Sequence, residues 1–272
     1  MRKKVNADSP ALEWDAAEYA ANSTVQQTWA RELIAQLHLR GDEHVLDVGC
    51  GDGKVTAEIA RSVLQGTVDG ADASPQMIRF ARKTFPKRKI KNLQFHVMDA
   101  RRMRFARKFD LIFSNAALHW VDDHQAFLRG AADALRPGGR LVVSCGGKGN
   151  AQDVYVALRP ELRTKKWGPY FRGMKAPYFF HSPEEYEHWL PRFGFKMQKV
   201  ELVPKDATYQ GADGFATWLR TTWIPYVLRV PEPLREEFIA AVTDRYVTRH
   251  PPDAAGRVHV RMVRLEIDAL RE

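Results

Sequence analysis

The sequence is poor in cysteine and has no long apolar run. Two cysteines in 272 residues cannot build a disulfide framework or a cysteine-based metal cluster. No stretch approaches the roughly 18 consecutive apolar residues that a membrane-spanning helix requires. The opening MRKKVN is basic, yet no apolar segment follows it, so a secretory leader is not expected. The expected compartment is a reducing cytoplasm. Internal repeats and low-complexity tracts are also absent. What the chain does have is 44% hydrophobic and 11% aromatic residues. That is enough to fill the core of one large domain, or of one domain with an insertion.

Acidic charge is missing from one segment. From Arg79 to Lys108 there are 12 basic residues and one acid, Asp99, a local net charge of +11. The chain as a whole carries +9, so the remainder sums to −2. Such a segment attracts nucleic acid, an anionic substrate or an acidic protein. It is also what a solvated helix and loop look like.

His44–Val48 is a short apolar run ending in glycines and reads as a buried strand. Lys54–Leu64 is helical in pattern, with Val55, Ile59 and Val63 four apart. Thr67–Ala71, Leu93–Val97, Phe109–Ser114 and Arg140–Cys145 read as further strands. Ser74-Pro75 supplies an N-cap and a first-turn proline, and Met77, Ile78 and Ala81 give that helix an apolar face. His124–Leu135 is the next helix, stopped by Arg136-Pro137-Gly138-Gly139. Alternation at this rhythm predicts a parallel sheet with helices on both faces. Ligands bind such sheets at the carboxyl ends of the strands. The second half differs. Phe195–Val203 reads as a strand. In Gly256–Leu270, Val258, Val260 and Met262 alternate, then Val263, Leu265, Ile267 and Ala269 continue in the opposite phase, which predicts a β-bulge at 262/263. Asp213–Arg249 lies between these strands, helical in pattern and rich in Trp, Tyr and Arg.

The densest chemical signal is Val45-Leu46-Asp47-Val48-Gly49-Cys50-Gly51-Asp52-Gly53, a strand running through glycines into a helix. Glycines admit positive φ and let a ligand approach the backbone. A dinucleotide site would show G-x-G-x-x-G with a pyrophosphate on the helix N-terminus. Here the spacing is G-x-G-x-G, and Asp47 and Asp52 would repel a pyrophosphate. Two carboxylates suit a cationic ligand, and S-adenosylmethionine carries an ammonium and a sulfonium. Asp72 ends the second strand, 19 positions after Gly53, where a carboxylate accepts both ribose hydroxyls. Asp99 ends the third, within reach of an adenine amino group. Any one of these acids alone is as readily a helix cap or a turn residue.

These segments resemble class I S-adenosylmethionine-dependent methyltransferases of the type 11 group. The resemblance runs from about Trp14 to Cys145 and rests on LDVGCGDGKVT, GADASPQMI, the VMDA turn, FDLIFSNAALHWVDD and LRPGGRLVVS. It implies that Gly49, Cys50 and Gly51 line the methionine portion and that Asp47 orients the loop or the ammonium. It further implies that Asp72 takes the ribose, that Ala73 and Met77 border the adenine with Asp99 and Ala100 on its edge, and that Asn115 and Ala116 border the reactive methyl. The expected fold is α/β: a Rossmann-like, seven-stranded, mainly parallel sheet with helices on both faces, an antiparallel last strand and a helical cap inserted between the last two strands. The expected division is 1–150 for the lid and cofactor core, 151–194 for an aromatic-rich insertion, 195–204 and 256–270 for the final strands and 205–255 for a substrate cap.

The acceptor is sought after the fourth strand. Ser114-Asn115-Ala116-Ala117-Leu118-His119-Trp120 lacks the prolines and tyrosine of the N-P-P-Y-type loop found in methyltransferases that act on amino groups of DNA and glutamine. It is similar instead to trans-aconitate, malonyl-carrier-protein and juvenile hormone acid methyltransferases, which esterify free carboxyl groups. Tyr19-Ala20-Ala21-Asn22-Ser23 with Gln26 resembles their lid helix, which implies that Tyr19 and Gln26 face the reacting methyl. His119 either bonds or deprotonates the acceptor, or satisfies a backbone carbonyl. Trp120 either walls the acceptor pocket or packs the core. Trp218, Arg220, Trp223 and Tyr226 fall within nine residues on one helical segment, and an arginine among aromatics can clamp a carboxylate. In the alternative, these tryptophans pack the cap and Arg220 is exposed. A second aromatic group, Trp167, Tyr170, Phe171, Tyr178, Phe179 and Phe180, either lines an apolar pocket or forms the seam between cap and sheet.

A small-molecule carboxylate is therefore the expected substrate and S-adenosylmethionine the cofactor, with no metal. An acceptor at carbon or nitrogen is the alternative chemistry. The basic segment keeps an acidic carrier protein open as a partner. Nucleic acid is disfavoured, because no RNA-binding motif is appended and aromatic residues are sparse in that segment. Most of the basic excess is expected on an outer flank, away from the acceptor.

Overall fold

The computed structural model describes residues 24–105 and 108–272. Its centre is a seven-stranded sheet in the order β3-β2-β1-β4-β5-β7-β6. The strands are β1 (His44–Val48), β2 (Thr67–Asp72), β3 (Leu93–Val97), β4 (Phe109–Asn115), β5 (Leu135–Gly146), β6 (Phe195–Gln210) and β7 (Arg257–Arg271). β1 to β5 pair in parallel, and β7 runs antiparallel between β5 and β6. The order reverses at β1 and β4, whose carboxyl ends form the crevice where ligands of such sheets bind.

The helices that cover the sheet are α1 (Thr24–Ala35), α2 (Lys54–Ser62), α3 (Pro75–Thr84), α4 (His124–Ala134), α5 (Gln152–Glu161) and α6 (Pro183–Arg192). Local chemistry sets their starts. The Ser74 hydroxyl accepts from the Met77 N–H at 3.3 Å with Pro75 in the first turn, and Asp123 accepts from the Ala126 N–H at 2.8 Å. Alternate strand residues face opposite layers. Val45, Leu111 and Phe113 pack with Leu33, Ile59 and Ile78 of α1 to α3, while Leu46, Ile112 and Val143 pack with Phe127 of α4 and Leu190 of α6. Each fully buried side chain of this size contributes roughly 1.5–3 kcal/mol.

A third core lies beneath the segment between β6 and β7, which holds α7 (Gly211–Thr222), α8 (Ile224–Val227) and α9 (Arg235–Arg249). Phe215, Trp218, Phe238 and Tyr246 pack there against Val258, Val260 and Met262 of β7. β6 continues to Gln210, so the helical segment starts at 211, later than the residue 205 that the sequence suggested. The expected bulge at 262/263 is not present: β7 pairs in continuous register from Arg257 to Leu270. The apolar phase changes because β7 buries one face under the helical segment and the opposite face, through Leu265, Ile267 and Ala269, against the central core. The register shift of this pair lies on β6, between Met197 and Lys199. Among the described residues no helix is long and apolar enough to cross a membrane.

Candidate active site

The glycine turn after β1 is tied to the end of β2. The Gly49 and Cys50 N–H groups both donate to the Ala71 carbonyl, at 2.7 and 3.0 Å. Gly49 has φ +77°, and a Cβ there would lie 2.0 Å from the Cβ of Ala117. The turn can therefore press against the loop after β4 only if residue 49 has no side chain. Ala116, in that loop, itself takes a left-handed φ of 56°, and its N–H donates to the Ser144 carbonyl at 2.8 Å. Loop and turn hold each other in place.

Three acids line the strand ends, in three different states. Asp47 is buried and accepts from the Thr56 hydroxyl at 2.7 Å. Burial raises its pKa to about 7, against the pull of the Thr56 hydrogen bond, and the nearby negative charge of Asp72 adds to the rise. Asp72 accepts from the Gly51 N–H at 3.0 Å and the Ser74 N–H at 2.8 Å, so it links the glycine turn to α3. Burial pushes its carboxyl above the usual range, and those two N–H groups oppose the shift. Asp99 goes the other way. The Arg101 side chain holds it below the usual range, with bonds of 2.6–3.1 Å, and Arg101 also reaches Asp122 at 2.8 Å. Sequence reasoning missed Arg101, which belonged to the basic run and carried no separate signal.

A cleft of about 540 Å³ runs along these ends, bordered by Gly49, Asp72, Met77, Asp99 and Ala100. Ala73 and Phe179 line it too. A smaller recess beside it is bordered by Asp47, Cys50, Gly51 and Asn115, with Gln27 of α1 over it. Ala116 borders the cleft, the recess and a third cavity of about 80 Å³, which lies beneath the helical segment. His119, Trp120, Tyr178, Phe180, Trp218 and Trp223 line that third cavity, and Trp29 of α1 and Arg264 of β7 complete it.

His119 is buried. Burial, then the charges of Arg264 and His124, press its pKa down to about 3. Its Nδ1 lies 3.3 Å from the Gly146 N–H, which can only donate. The neutral ring therefore carries its proton on Nε2 and presents a donor on that side. This geometry does not suit a base. The loop bearing His119 is held from below by His124, whose Nε2 lies 2.8 Å from the Leu118 carbonyl and whose Nδ1 lies 2.6 Å from the Tyr186 hydroxyl.

Of the aromatic residues singled out in the sequence, Trp218, Trp223 and Trp120 meet at the third cavity, together with Tyr178 and Phe180. Trp167 and Phe171 pack in the core beneath the helical segment. Tyr226 does not line the third cavity but is buried behind its wall, against Trp223 and Tyr178 and beside Tyr155 and Phe171. Arg220 makes a two-pronged pair with Glu236, at 2.9 and 2.5 Å, on the outside of the helical segment. The guanidinium among the aromatics is Arg264 instead. Tyr19 lies outside the described residues, and Gln26 lies in α1 with its side chain outside them. Arg79, Lys83, Lys87, Arg88, Lys89 and Lys91 are exposed and line none of the three cavities.

Residues 45–139 match a methyltransferase domain family. The chain is 29% identical to an uncharacterised methyltransferase of Schizosaccharomyces pombe, over 71% of this chain and 74% of that protein. It is 28% identical to a trans-aconitate 2-methyltransferase of Agrobacterium fabrum, over 96% of this chain and 100% of that protein. The fold is similar to that of the YcgJ protein of Bacillus subtilis, with a TM-score of 0.61 and 17% identity, covering 89% of this chain and 97% of that one. The chain is a class I S-adenosylmethionine-dependent methyltransferase.

Proposed function

We propose that this methyltransferase converts a small-molecule carboxylic acid to its methyl ester. The observation that carries this reading is the third cavity. It meets the cofactor side at Ala116, is walled by aromatic rings, and holds a buried cation, Arg264, beside a neutral histidine. The similarity to trans-aconitate 2-methyltransferases over nearly the whole chain supports it.

Bound S-adenosylmethionine supplies an electrophilic methyl group on a sulfonium. The residues present fit it. Asp47 is a buried carboxyl whose pKa burial raises, and an ammonium beside it would favour its ionised form. In this reading Asp47 and the backbone of Gly49, Cys50 and Gly51 hold the methionine portion together with Asn115 and Ala116. Asp72 holds the ribose, Ala73 and Met77 border the adenine, and Asp99 with Ala100 closes its edge. An ionised carboxylate needs no base, which agrees with a histidine that stays neutral. His119 donates its Nε2–H to the acceptor, while Trp120, Trp223, Tyr178 and Phe180 exclude water and fix the approach. Tyr19 and Gln26 complete the lid, and the enzyme works in the cytoplasm.

The test is incubation with S-adenosylmethionine and a panel of mono-, di- and tricarboxylic acids, read by mass spectrometry. The expected result is a methyl adduct that mild base removes. A panel with no product, alongside normal cofactor binding, would refute the reading. A second reading rests on the exposed cations of the outer flank, Arg79, Lys83 and Lys87 to Lys91, which could dock an acidic carrier protein bearing the acid. Reversing the charge of Lys87, Arg88 and Lys89 would then impair transfer to the carrier-bound acid more than to the free acid.

A further inference from the structure

Asn150 lies in the turn after β5 and borders the third cavity beside His119 and Phe180. Its side-chain Oδ1 accepts from the Val263 N–H at 3.0 Å, and the Gly147 N–H donates to the Val263 carbonyl at 3.0 Å. The turn thus extends the β5–β7 ladder past the end of β5. A backbone N–H can only donate, which fixes the amide: Oδ1 faces Val263 and Nδ2 faces the other way. Nδ2 lies over Gly146. A Cβ at Gly146 would lie 3.0 Å from Nδ2 and 2.7 Å from the Phe180 ring, so residue 146 must lack a side chain for both to reach the end of β5. Gly146 also meets His119, whose Nδ1 accepts its N–H at 3.3 Å. The Asn150 amide and the His119 ring therefore converge on one glycine at the cavity wall. Among the described residues Nδ2 of Asn150 donates to no other group, and neither does Nε2 of His119.

Holding Val263 accounts for Oδ1 but not for an amide, because an aspartate oxygen would accept the same bond. The donor half of the side chain points to a ligand. A carboxylate drawn out of water into an aromatic-walled cavity needs donors for about four lone-pair sites, and the one N–H of His119 leaves most of them unmet. In the transfer, one carboxylate oxygen gives a lone pair to the methyl carbon while the carbon–sulfur pair returns to sulfur, leaving an ester and a neutral thioether. The other oxygen accepts hydrogen bonds throughout, first in the carboxylate and then as the ester carbonyl. A donor on that oxygen orients the acceptor and need not be broken as the new bond forms. We propose that Asn150 is a specificity-determining residue of the cavity, its Nδ2 donating to the acceptor's carboxylate alongside Nε2 of His119. Such a pair favours a head group that only accepts hydrogen bonds. A primary amide of the same shape has one acceptor oxygen and must turn its own N–H groups toward one of the donors. This proposal rests on the carboxylic acid reading and deepens it.

The test pairs each acid with its full amide, for the straight-chain acids from acetic to octanoic, the diacids from malonic to adipic, and tricarballylic acid. Steady-state methyl transfer, tryptophan-fluorescence titration with S-adenosylhomocysteine present, and melting temperature are measured from pH 5.5 to 8 for wild type, Asn150→Asp and Asn150→Ala. Asn150→Asp keeps an oxygen for the Val263 N–H and replaces the donor by a second acceptor. For any acid turned over, wild type should bind it about tenfold or more tightly than its amide. Asn150→Asp should raise KM for that acid about tenfold or more at pH 8, with a melting temperature close to that of wild type. The deficit relative to wild type should shrink toward pH 5.5, as the introduced carboxyl takes up a proton and can donate again. An Asn150 that only held Val263 would show no such pH-dependent deficit. A wild-type KM and pH profile in Asn150→Asp would therefore overturn the proposal and leave acid methylation standing. So would equal binding of acid and amide by wild type. Acid-selective binding that Asn150→Asp abolishes, without turnover, would uphold the donor pair and refute the esterification reading. Neither binding nor turnover of any acid would overturn both. If Asn150→Asp fails to fold, the wild-type preference for acid over amide and its loss in Asn150→Ala still decide the matter.

Discussion

With the ligand's ammonium beside Asp47, as proposed, cofactor binding becomes a proton-linked event. Its carboxyl titrates near 7 in the protein because burial penalises the anion. Bringing an ammonium beside it would restore it toward the ordinary carboxylate value of 3.8. At 1.36 kcal/mol for each tenfold change in proton affinity, that restoration is worth up to about 4 kcal/mol. The sign follows from the direction of the shift. Below pH 7 Asp47 is protonated in the free protein and must release its proton as the ligand binds. Affinity therefore rises about tenfold per pH step up to 7 and levels off above it, roughly thirtyfold between pH 5.5 and 8. Titration calorimetry of S-adenosylhomocysteine in two buffers of different ionisation enthalpy gives the proton count, with close to one proton released at pH 6 and none at pH 8. Asp47→Asn corrects for the ligand's own titration and should remove this dependence. At pH 8 the variant should bind about tenfold or more weakly, having lost a charge-assisted contact. Without ligand at pH 8 the variant should be the more thermally stable protein, because the raised pKa of Asp47 costs folding stability as pH rises from about 4 to 7. Identical pH profiles for wild type and Asp47→Asn would refute the reasoning.

Other outcomes follow from the same geometry. Gly49→Ala would place a Cβ 2.0 Å from Ala117 Cβ at a left-handed φ; it should cost about 1–3 kcal/mol in thermal unfolding and abolish calorimetric cofactor binding. His124→Phe strands the Leu118 carbonyl and the Tyr186 hydroxyl; it should cost about 1–3 kcal/mol in denaturant titration and lower kcat through the displaced His119 loop. His119 and His124 titrate near 3 and 4, below the ordinary histidine value, so each costs stability as pH falls below about 6.5. The melting temperature should drop between pH 6.5 and 4, and His119→Gln should lessen the drop. Arg220→Ala removes an exposed pair with Glu236 and should change stability by less than about 1 kcal/mol while leaving methyl transfer intact.

The glycine turn and the acids at the strand ends were legible in the sequence because their geometry is local. Asp47, Asp72 and Asp99 each stand at or within two residues of a strand end, beside a glycine turn or a helix cap that announces itself in a few residues. The third cavity was less legible because distant segments build it. Arg264 bonds to Asn115 across 149 positions of sequence, and Trp29 reaches it from α1. A signal for Arg264 did exist. It continues the inward-facing series Val258, Val260 and Met262, at the same parity. Reading the phase change as a bulge at 262/263 concealed it, because an extra residue there would turn Arg264 outward. The strand instead buries opposite faces at its two ends, a consequence of packing that local patterning does not encode. Arg220 misled for a related reason: helical spacing placed it near tryptophans, but Glu236 on α9 captures it from outside.

The chemical group that receives the methyl distinguishes carboxylate esterification from every other transfer. S-adenosylmethionine labelled with carbon-13 at its methyl group, incubated with the enzyme and a productive acid, reports that group directly in the product's NMR spectrum. Esterification gives an ester O-methyl resonance that disappears on mild base treatment as labelled methanol forms. A base-stable signal from a methyl on nitrogen or carbon would contradict it.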